Sequence, residues 1–242
     1  RRGTRSTTGA SSRTSAGVTR TSWAGKSEEG GPYPAVLANG NPYSPAGILS
    51  CKMRRERYRS GDGTRMHLVF DTETTGLCRG RLVQIAWLLC DDDGQTVRRE
   101  CFIVRPDGFA IPPDAVRIHG ITTDRAIFSG IPLRAALEAF RQAAAESGTV
   151  VAHNLAFDSG VVAAECTRCG VANPLAGMPS FCTMEASVGV CGLRRPGGLK
   201  WPTLTELHRT LFGSVYSGAH DAGNDAAACA RCFFELRRRG VI

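Results

Sequence analysis

Phe70-Asp-Thr-Glu-Thr-Thr-Gly76 follows the apolar run Met66-His-Leu-Val and sets two carboxylates one residue apart. Met66 to Asp71 reads as a buried strand, and side chains alternate faces along a strand. Asp71 and Glu73 therefore project to one side and Thr72 to the other. Thr74-Thr-Gly76 ends the strand at an open edge of the sheet, where ligands of sheet proteins of this kind gather. Two like charges held together repel unless something offsets them. Hard cations such as Mg²⁺ or Mn²⁺ take oxygen ligands and would do so. The ordinary alternative is a solvated turn, and a D-x-E pattern by itself does not choose between the two.

Working outward, Leu82 to Cys90 reads as a second strand and Gln95 to Val104 as a third, joined by the turn signal Asp91-Asp-Asp-Gly94. Pro132 opens an amphipathic helical run with Leu133, Ala136, Leu137 and Phe140 on one face. Thr149-Val-Val-Ala152 is a fourth strand, followed by a helix from about Asp158 to Cys169. A short strand around Ser180-Phe-Cys-Thr183 precedes a helix from Leu204 to Leu211, closed by Gly213. The last helix runs from about Asp221 to Arg238. A strand meander followed by strands alternating with helices implies an α/β fold, a mixed sheet with helices packed on its faces.

The 242 residues suggest one or two domains, and no apolar run approaches the roughly 18 residues of a membrane-spanning helix. No membrane partner is expected. The net charge of +8 is unevenly placed: residues 1–65 hold 12 Lys/Arg against 4 Asp/Glu, whereas residues 66–242 hold 18 of each. Residues 1–62 are rich in Ser, Thr, Gly, Pro and Arg without periodicity, so they are expected to be disordered, with the folded domain spanning 63–242. No acid precedes Glu28, while Arg1, Arg2, Arg5, Arg13, Arg20 and Lys26 do. That start resembles an organellar transit peptide, which would point to a mitochondrion or chloroplast. The alternative is a flexible arm or a piece of a longer reading frame, in the cytoplasm or nucleus. The run Lys52 to Arg59 either meets phosphates nonspecifically or is simply solvated. Ten cysteines without an apolar signal-peptide core fit a reducing, intracellular setting, with thiols buried as small hydrophobes. Two CxxC pairs, Cys166/Cys169 and Cys229/Cys232, have zinc spacing, but they fall inside helices, so packing is the expectation.

Two further features carry acids. His153-Asn-Leu-Ala-Phe-Asp158 follows the fourth strand, and Asp158 reads alone as a helix N-cap. His220-Asp-Ala-Gly-Asn-Asp225 opens the final helix, where the macrodipole favours acids in any case. Together the set is ordered: D-x-E after the first strand, H-N-x-x-F-D before one helix, H-x-x-x-x-D at the last. It resembles the three motifs of the DEDDh 3′→5′ exonucleases, a family that includes the proofreading epsilon subunit of bacterial DNA polymerase III, RNase T and oligoribonuclease. Ile118-His-Gly-Ile-Thr122 is similar to the H-G-I-T segment of epsilon-like members, and Leu199 to Leu207 to their K-x-x-x-L-x-x-L stretch. Tyrosine-type relatives place a Tyr four residues before the last Asp; Asp221 stands there, so the histidine class fits.

The resemblance implies an RNase H-like fold and a role for each matching position. Asp71, Glu73, Asp158 and Asp225 match the acidic ligands of two divalent cations, Mg²⁺ or Mn²⁺. His220 matches the general base, whose ordinary pKa of about 6.5 suits proton transfer near neutrality. Thr72, Thr74 and Leu77 follow the loop that grips the 3′-terminal nucleotide, Asn154 and Phe157 would line the groove, and His119 would approach the substrate. For each of these six the plain alternative is loop packing. The implied activity is metal-dependent release of nucleoside monophosphates from single-stranded or frayed 3′ ends, with DNA and a proofreading or repair role favoured. The alternatives are an RNA-trimming exoribonuclease and a nucleic-acid-binding module tethered to a polymerase or other replication partner.

Overall fold

A computed structural model describes residues 65–77 and 80–242; the expectations for residues 1–62 lie outside them. One five-stranded sheet organises these residues, in the order β3-β2-β1-β4-β5. Strands β1 (His67–Thr74), β2 (Leu82–Cys90) and β3 (Thr96–Ile103) form the antiparallel meander. Asp91 builds the turn between β2 and β3: its carboxylate accepts the amides of Asp93 at 3.1 Å and Gln95 at 2.8 Å. Strands β4 (Thr149–Ala152) and β5 (Ser180–Cys182) add in parallel to β1. Because β1 and β4 run the same way, their C-terminal ends open on one edge of the sheet. Strand β1 also continues three residues past Asp71, so both acids of the opening stretch lie within the strand.

Alternation along β1 assigns its residues to two cores. Leu68 and Phe70 face a layer made by α3 (Leu133–Ala145) and α4 (Leu155–Cys169). There Phe140 packs on Phe70 at 5.2 Å and on Trp87 at 5.4 Å between ring centroids. Val69 faces the opposite layer, where α7 (Leu204–Phe212) and α8 (Ala222–Arg238) bring Leu207, Ala226, Phe233 and Leu236. The two CxxC pairs belong to different layers, so the sheet keeps them from sharing an ion. Burial pushes the Cys229 thiol well up and Cys232 up to about 12, which disfavours the thiolate zinc needs. The cysteines are packing residues, as expected from their helical setting.

Three features depart from the sequence reading. Helices α1 (Pro113–His119) and α2 (Thr123–Ser129) occupy the stretch before α3. Each is seven residues, too short to show an apolar stripe, and Gly120 at φ 72° turns the chain between them. Short helices α5 (Thr183–Ala186) and α6 (Val188–Cys191) and a small hairpin, β6 (Arg194–Arg195) with β7 (Gly198–Leu199), fill the connection from β5 to α7. Helix α4 begins at Leu155 rather than Asp158, because Asn154 takes a left-handed conformation at φ 68° and turns the chain directly out of β4. Asp158 is thus not an N-cap; its carboxylate lies in the first turn and points elsewhere. Asp221 does cap α8, accepting the amides of Gly223 and Asn224. Among the described residues no helix is long and apolar enough to cross a membrane.

Candidate active site

At the shared edge of β1 and β4 lies a cleft of about 460 Å³, lined by Asp71, Glu73, Asp158, Asp225 and His220. Three chain segments deliver the acids. Asp71 and Glu73 project from β1 towards the α8 side, and Asp225 comes from the first turn of α8. Asp158 comes from α4 on the other face and is fastened to the intervening residue of β1. Its Oδ1 accepts both the Thr72 amide at 2.9 Å and the Thr72 hydroxyl at 2.6 Å. The pleat therefore carries meaning at three successive positions: two acids to one side, and a threonine to the other that holds a third.

The remaining carboxylate is held from its own side. Tyr216 Oη donates to Asp225 Oδ1 at 2.8 Å, and the His220 amide donates to Oδ2 at 3.0 Å. Helix α8 is locked to the sheet one residue before its first turn: Gln84 on β2 donates to Asp221 Oδ2 at 3.1 Å and accepts the Ala222 amide at 3.0 Å. A lone amide side chain in the otherwise apolar strand LVQIAWLLC is the signal that marks this lock. Tyr216 lies in a loop without periodicity and carries no such signal. The loop after β1 is pinned in turn by the fully buried Glu165 of α4, which accepts the Leu82 amide at 2.9 Å and pairs with Arg81 and Arg168.

Asp158 and Asp225 take their hydrogen bonds from neutral donors. Among the described residues no Lys or Arg pairs with Asp71, Glu73, Asp158 or Asp225. Burial and mutual repulsion then push all four carboxyls upward. Burial raises Asp71 well above its usual range, reinforced by Asp158, Asp225 and Glu73. Burial carries Glu73 up to about 8, with Asp225 and Asp158 adding to it. Burial lifts Asp158 to about 7 against the two Thr72 hydrogen bonds. Burial raises Asp225 too, although the Tyr216 hydroxyl and the His220 amide oppose it. Such a set is a binding site for positive charge. Oxygen and nitrogen donors of Glu73, His220 and Asp225 lie within 4.8 Å of one another, a spacing that one cation can bridge.

His220 has an exposed side chain and sits at φ 66°. It and Asn154 are the two non-glycine residues with positive φ among the described residues, and both line this cleft. Left-handed backbone costs a side chain on the order of 1 kcal/mol, and such strain gathers where a surrounding site over-determines it.

The other expected site residues divide. Thr72, Asn154 and Phe157 line the cleft. Thr74, Leu77 and His119 lie outside its lining. The Thr74 hydroxyl closes its own loop on the Gly76 carbonyl at 2.9 Å, and Leu77 is exposed. His119 is buried and accepts the Ile121 amide at Nδ1 (3.1 Å), and burial holds its pKa down. His153, the first residue of its motif, is a brace. Its Nε2 donates to the Pro202 carbonyl at 3.0 Å while Nδ1 lies 3.0 Å from the Thr183 hydroxyl, and burial pushes it down to about 4, so it stays neutral.

Tyr216→Phe tests the weight of the outer contacts. Loss of the donor to Asp225 is expected to raise the Mg²⁺ concentration for half-maximal activity by roughly 10-fold. A cation titration of activity measures it, and an unchanged midpoint would make the hydroxyl incidental.

Residues 68–233 match the family model described as exonuclease, of the RNase T type. The fold is RNase H-like, and it is shared with solved structures of exonuclease I. A dA16 complex of the Escherichia coli enzyme is 22% identical with a TM-score of 0.63, covering 72% of this chain and 41% of that one. A zinc-bound complex of the same enzyme with single-stranded DNA is 24% identical with a TM-score of 0.61, again covering 72% and 41%. A product-bound exonuclease I is 21% identical with a TM-score of 0.60, covering 73% and 45%. The chain thus spans less than half the length of these proteins. No curated protein matches it in sequence.

Proposed function

The chain belongs to the exonuclease family, and on that premise we propose that it is a divalent-cation-dependent 3′→5′ exonuclease acting on single-stranded or frayed DNA ends. The observation that carries this reading is a cleft in which four carboxylates from three segments converge with His220, and among the described residues no Lys or Arg pairs with them. A DNA substrate is supported by the epsilon-like H-G-I-T and K-x-x-x-L-x-x-L segments, and by the deoxyoligonucleotide held by the similar exonuclease I complex. A proofreading or repair role would follow if mismatched 3′ nucleotides were removed faster than paired ones.

Asp71, Glu73, Asp158 and Asp225 would hold two ions, Mg²⁺ or Mn²⁺. When bound, such ions supply charge neutralisation at the phosphate and make water more acidic. The residues of the chain do the rest. Thr72 and Tyr216 fix the carboxylates that would otherwise swing apart under repulsion. His220, on an exposed loop whose amide is tied to Asp225, takes a proton from the attacking water. Phe157 offers a face to a base, and Asn154 a polar contact beside it.

The test uses 5′-labelled single-stranded DNA, duplex DNA and RNA with Mg²⁺, with Mn²⁺ and with chelator. A ladder shortening stepwise from the 3′ end, abolished by chelator and faster on DNA, is expected. Shortening that survives chelation, or cleavage at internal bonds, overturns the proposal; faster trimming of RNA moves the substrate to the ribonucleotide class. His220→Asn is expected to lower turnover by about 10²–10⁴-fold while leaving the thermal midpoint within a few degrees, since the side chain is exposed.

A further inference from the structure

A second cleft of about 470 Å³ opens beside the first and shares His153, Asn154, Thr203 and Leu204 with it. Its far wall is Arg195, Lys200 and Trp201. Resting on the exonuclease reading above, we infer that this wall is a station for the nucleotide upstream of the 3′ end, with the Trp201 indole stacking on its base and Arg195 of the β6–β7 hairpin meeting phosphate.

Four observations support the inference. First, Trp201 is 65% exposed although its neighbour Pro202 is buried, so the indole is presented rather than packed. An exposed tryptophan face stacks on any of the four bases, which suits an enzyme that must accept every sequence in turn. Second, the presenting segment is rigid. The Pro202 carbonyl is held by the neutral His153 at 3.0 Å, and Thr203 caps α7 in a reciprocal box with Glu206. Third, the charge is in place. Lys200 is committed to Glu206 at 2.7 Å, but Arg194 and Arg195 are exposed and make no ion pair among the described residues. The Pro196-Gly197 turn between the two strands, with Gly197 at φ 97°, closes the hairpin, and of the two arginines Arg195 lines the cleft.

The fourth observation is direction. The loop after β1 and the end of α1 lie on the β2 side of the acids, whereas His153, Trp201 and the hairpin follow β4 and β5. If the terminal nucleotide is gripped on the β1 loop side, the strand leaves across the acids towards the indole. The two clefts meet at His153, Asn154, Thr203 and Leu204, with the acids on one side and the basic and aromatic residues on the other.

A pair of substrates tests this on the full chain. Thymidine 5′-(4-nitrophenyl phosphate) has one nucleotide and no upstream neighbour; a 12-residue deoxyoligonucleotide has both. Trp201→Ala is expected to raise KM for the oligonucleotide about 10-fold and leave hydrolysis of the nitrophenyl ester unchanged, with Trp201→Phe restoring much of the loss. Arg195→Ala is expected to flatten the salt dependence of oligonucleotide binding by about one phosphate contact, again without touching the ester. Equal losses on both substrates, or no loss on the oligonucleotide, overturn the station while the exonuclease reading stands. A wild-type chain inactive on both substrates overturns that reading and the station with it.

Discussion

Asp71→Asn is expected to reduce exonucleolytic turnover by on the order of 10³-fold, and at the same time to make the cation-free protein more stable. The two effects have one origin. Asp71 is pushed well up, by burial first and then by Asp158, Asp225, Glu73 and Asp221. Asparagine keeps the shape and removes the charge, so the desolvation of a charge and four repulsions vanish together. The same charge is what would draw a cation into the cleft. Without it, Glu73 and Asp225 keep donors near His220, but the set loses a carboxylate from its centre. Thermal midpoints at pH 8 in chelator should therefore rise by a few degrees, while added Mg²⁺ stabilises the variant less than the wild type. Initial rates on a labelled oligonucleotide and two melting curves decide it. A loss of turnover under tenfold, or a lower chelated midpoint, would contradict the placement of Asp71 at the centre of a cation site.

Much of this site was legible before any coordinates, because its chemistry sits on elements with strong local signals. The strand period placed Asp71 and Glu73 on one face, and the last helix opened where Asp221 caps it. What was not legible is how the elements are tied to one another. Thr72 and Asp158 are 86 residues apart in sequence and Gln84 and Asp221 137; Gln84 stands out as a lone amide in an apolar strand, but nothing local names the partner of either. Helix α4 starts three residues before Asp158 because Asn154 turns left-handed, and nothing in His153-Asn154 announces that turn. Helices α1 and α2 escaped because seven residues cannot show a 3.6-residue stripe. Trp201 was read as part of a motif, and only the shared lining of two clefts gives its exposed ring a use. Local propensity placed the acids; tertiary contacts aim them.

The same electrostatics predicts an inverted pH profile for stability. A carboxyl whose pKa is higher in the folded than in the unfolded chain binds its proton more tightly when folded. Its contribution is complete below the unfolded value near 4 and is lost as pH climbs through the folded one. For Asp158 at about 7 and Glu73 at about 8, the loss runs between pH 4 and 8. His153, pushed down to about 4, works the other way, since a depressed histidine favours the fold above its unfolded pKa near 6.5. Between pH 5.5 and 8 that ring offers roughly 1–2 kcal/mol and His119, also held down by burial, adds to it, against several kcal/mol from the four raised carboxyls, so the acids win. In chelator the thermal midpoint is expected to fall by on the order of 5–10 °C from pH 5.5 to 8. Below that window the Arg-paired Glu138 and Glu235, both held down near 2, begin to oppose it, so the comparison belongs above pH 5. Saturating Mg²⁺ should restore most of the loss at pH 8 and little at pH 5.5, because protons and cations compete for the same carboxylates. Glu73→Gln should flatten both dependences. A chelated midpoint that rises with pH, or a Mg²⁺ shift of equal size at both ends, would mean that the four acids are neutralised from within the protein and that the cleft is not waiting for a cation.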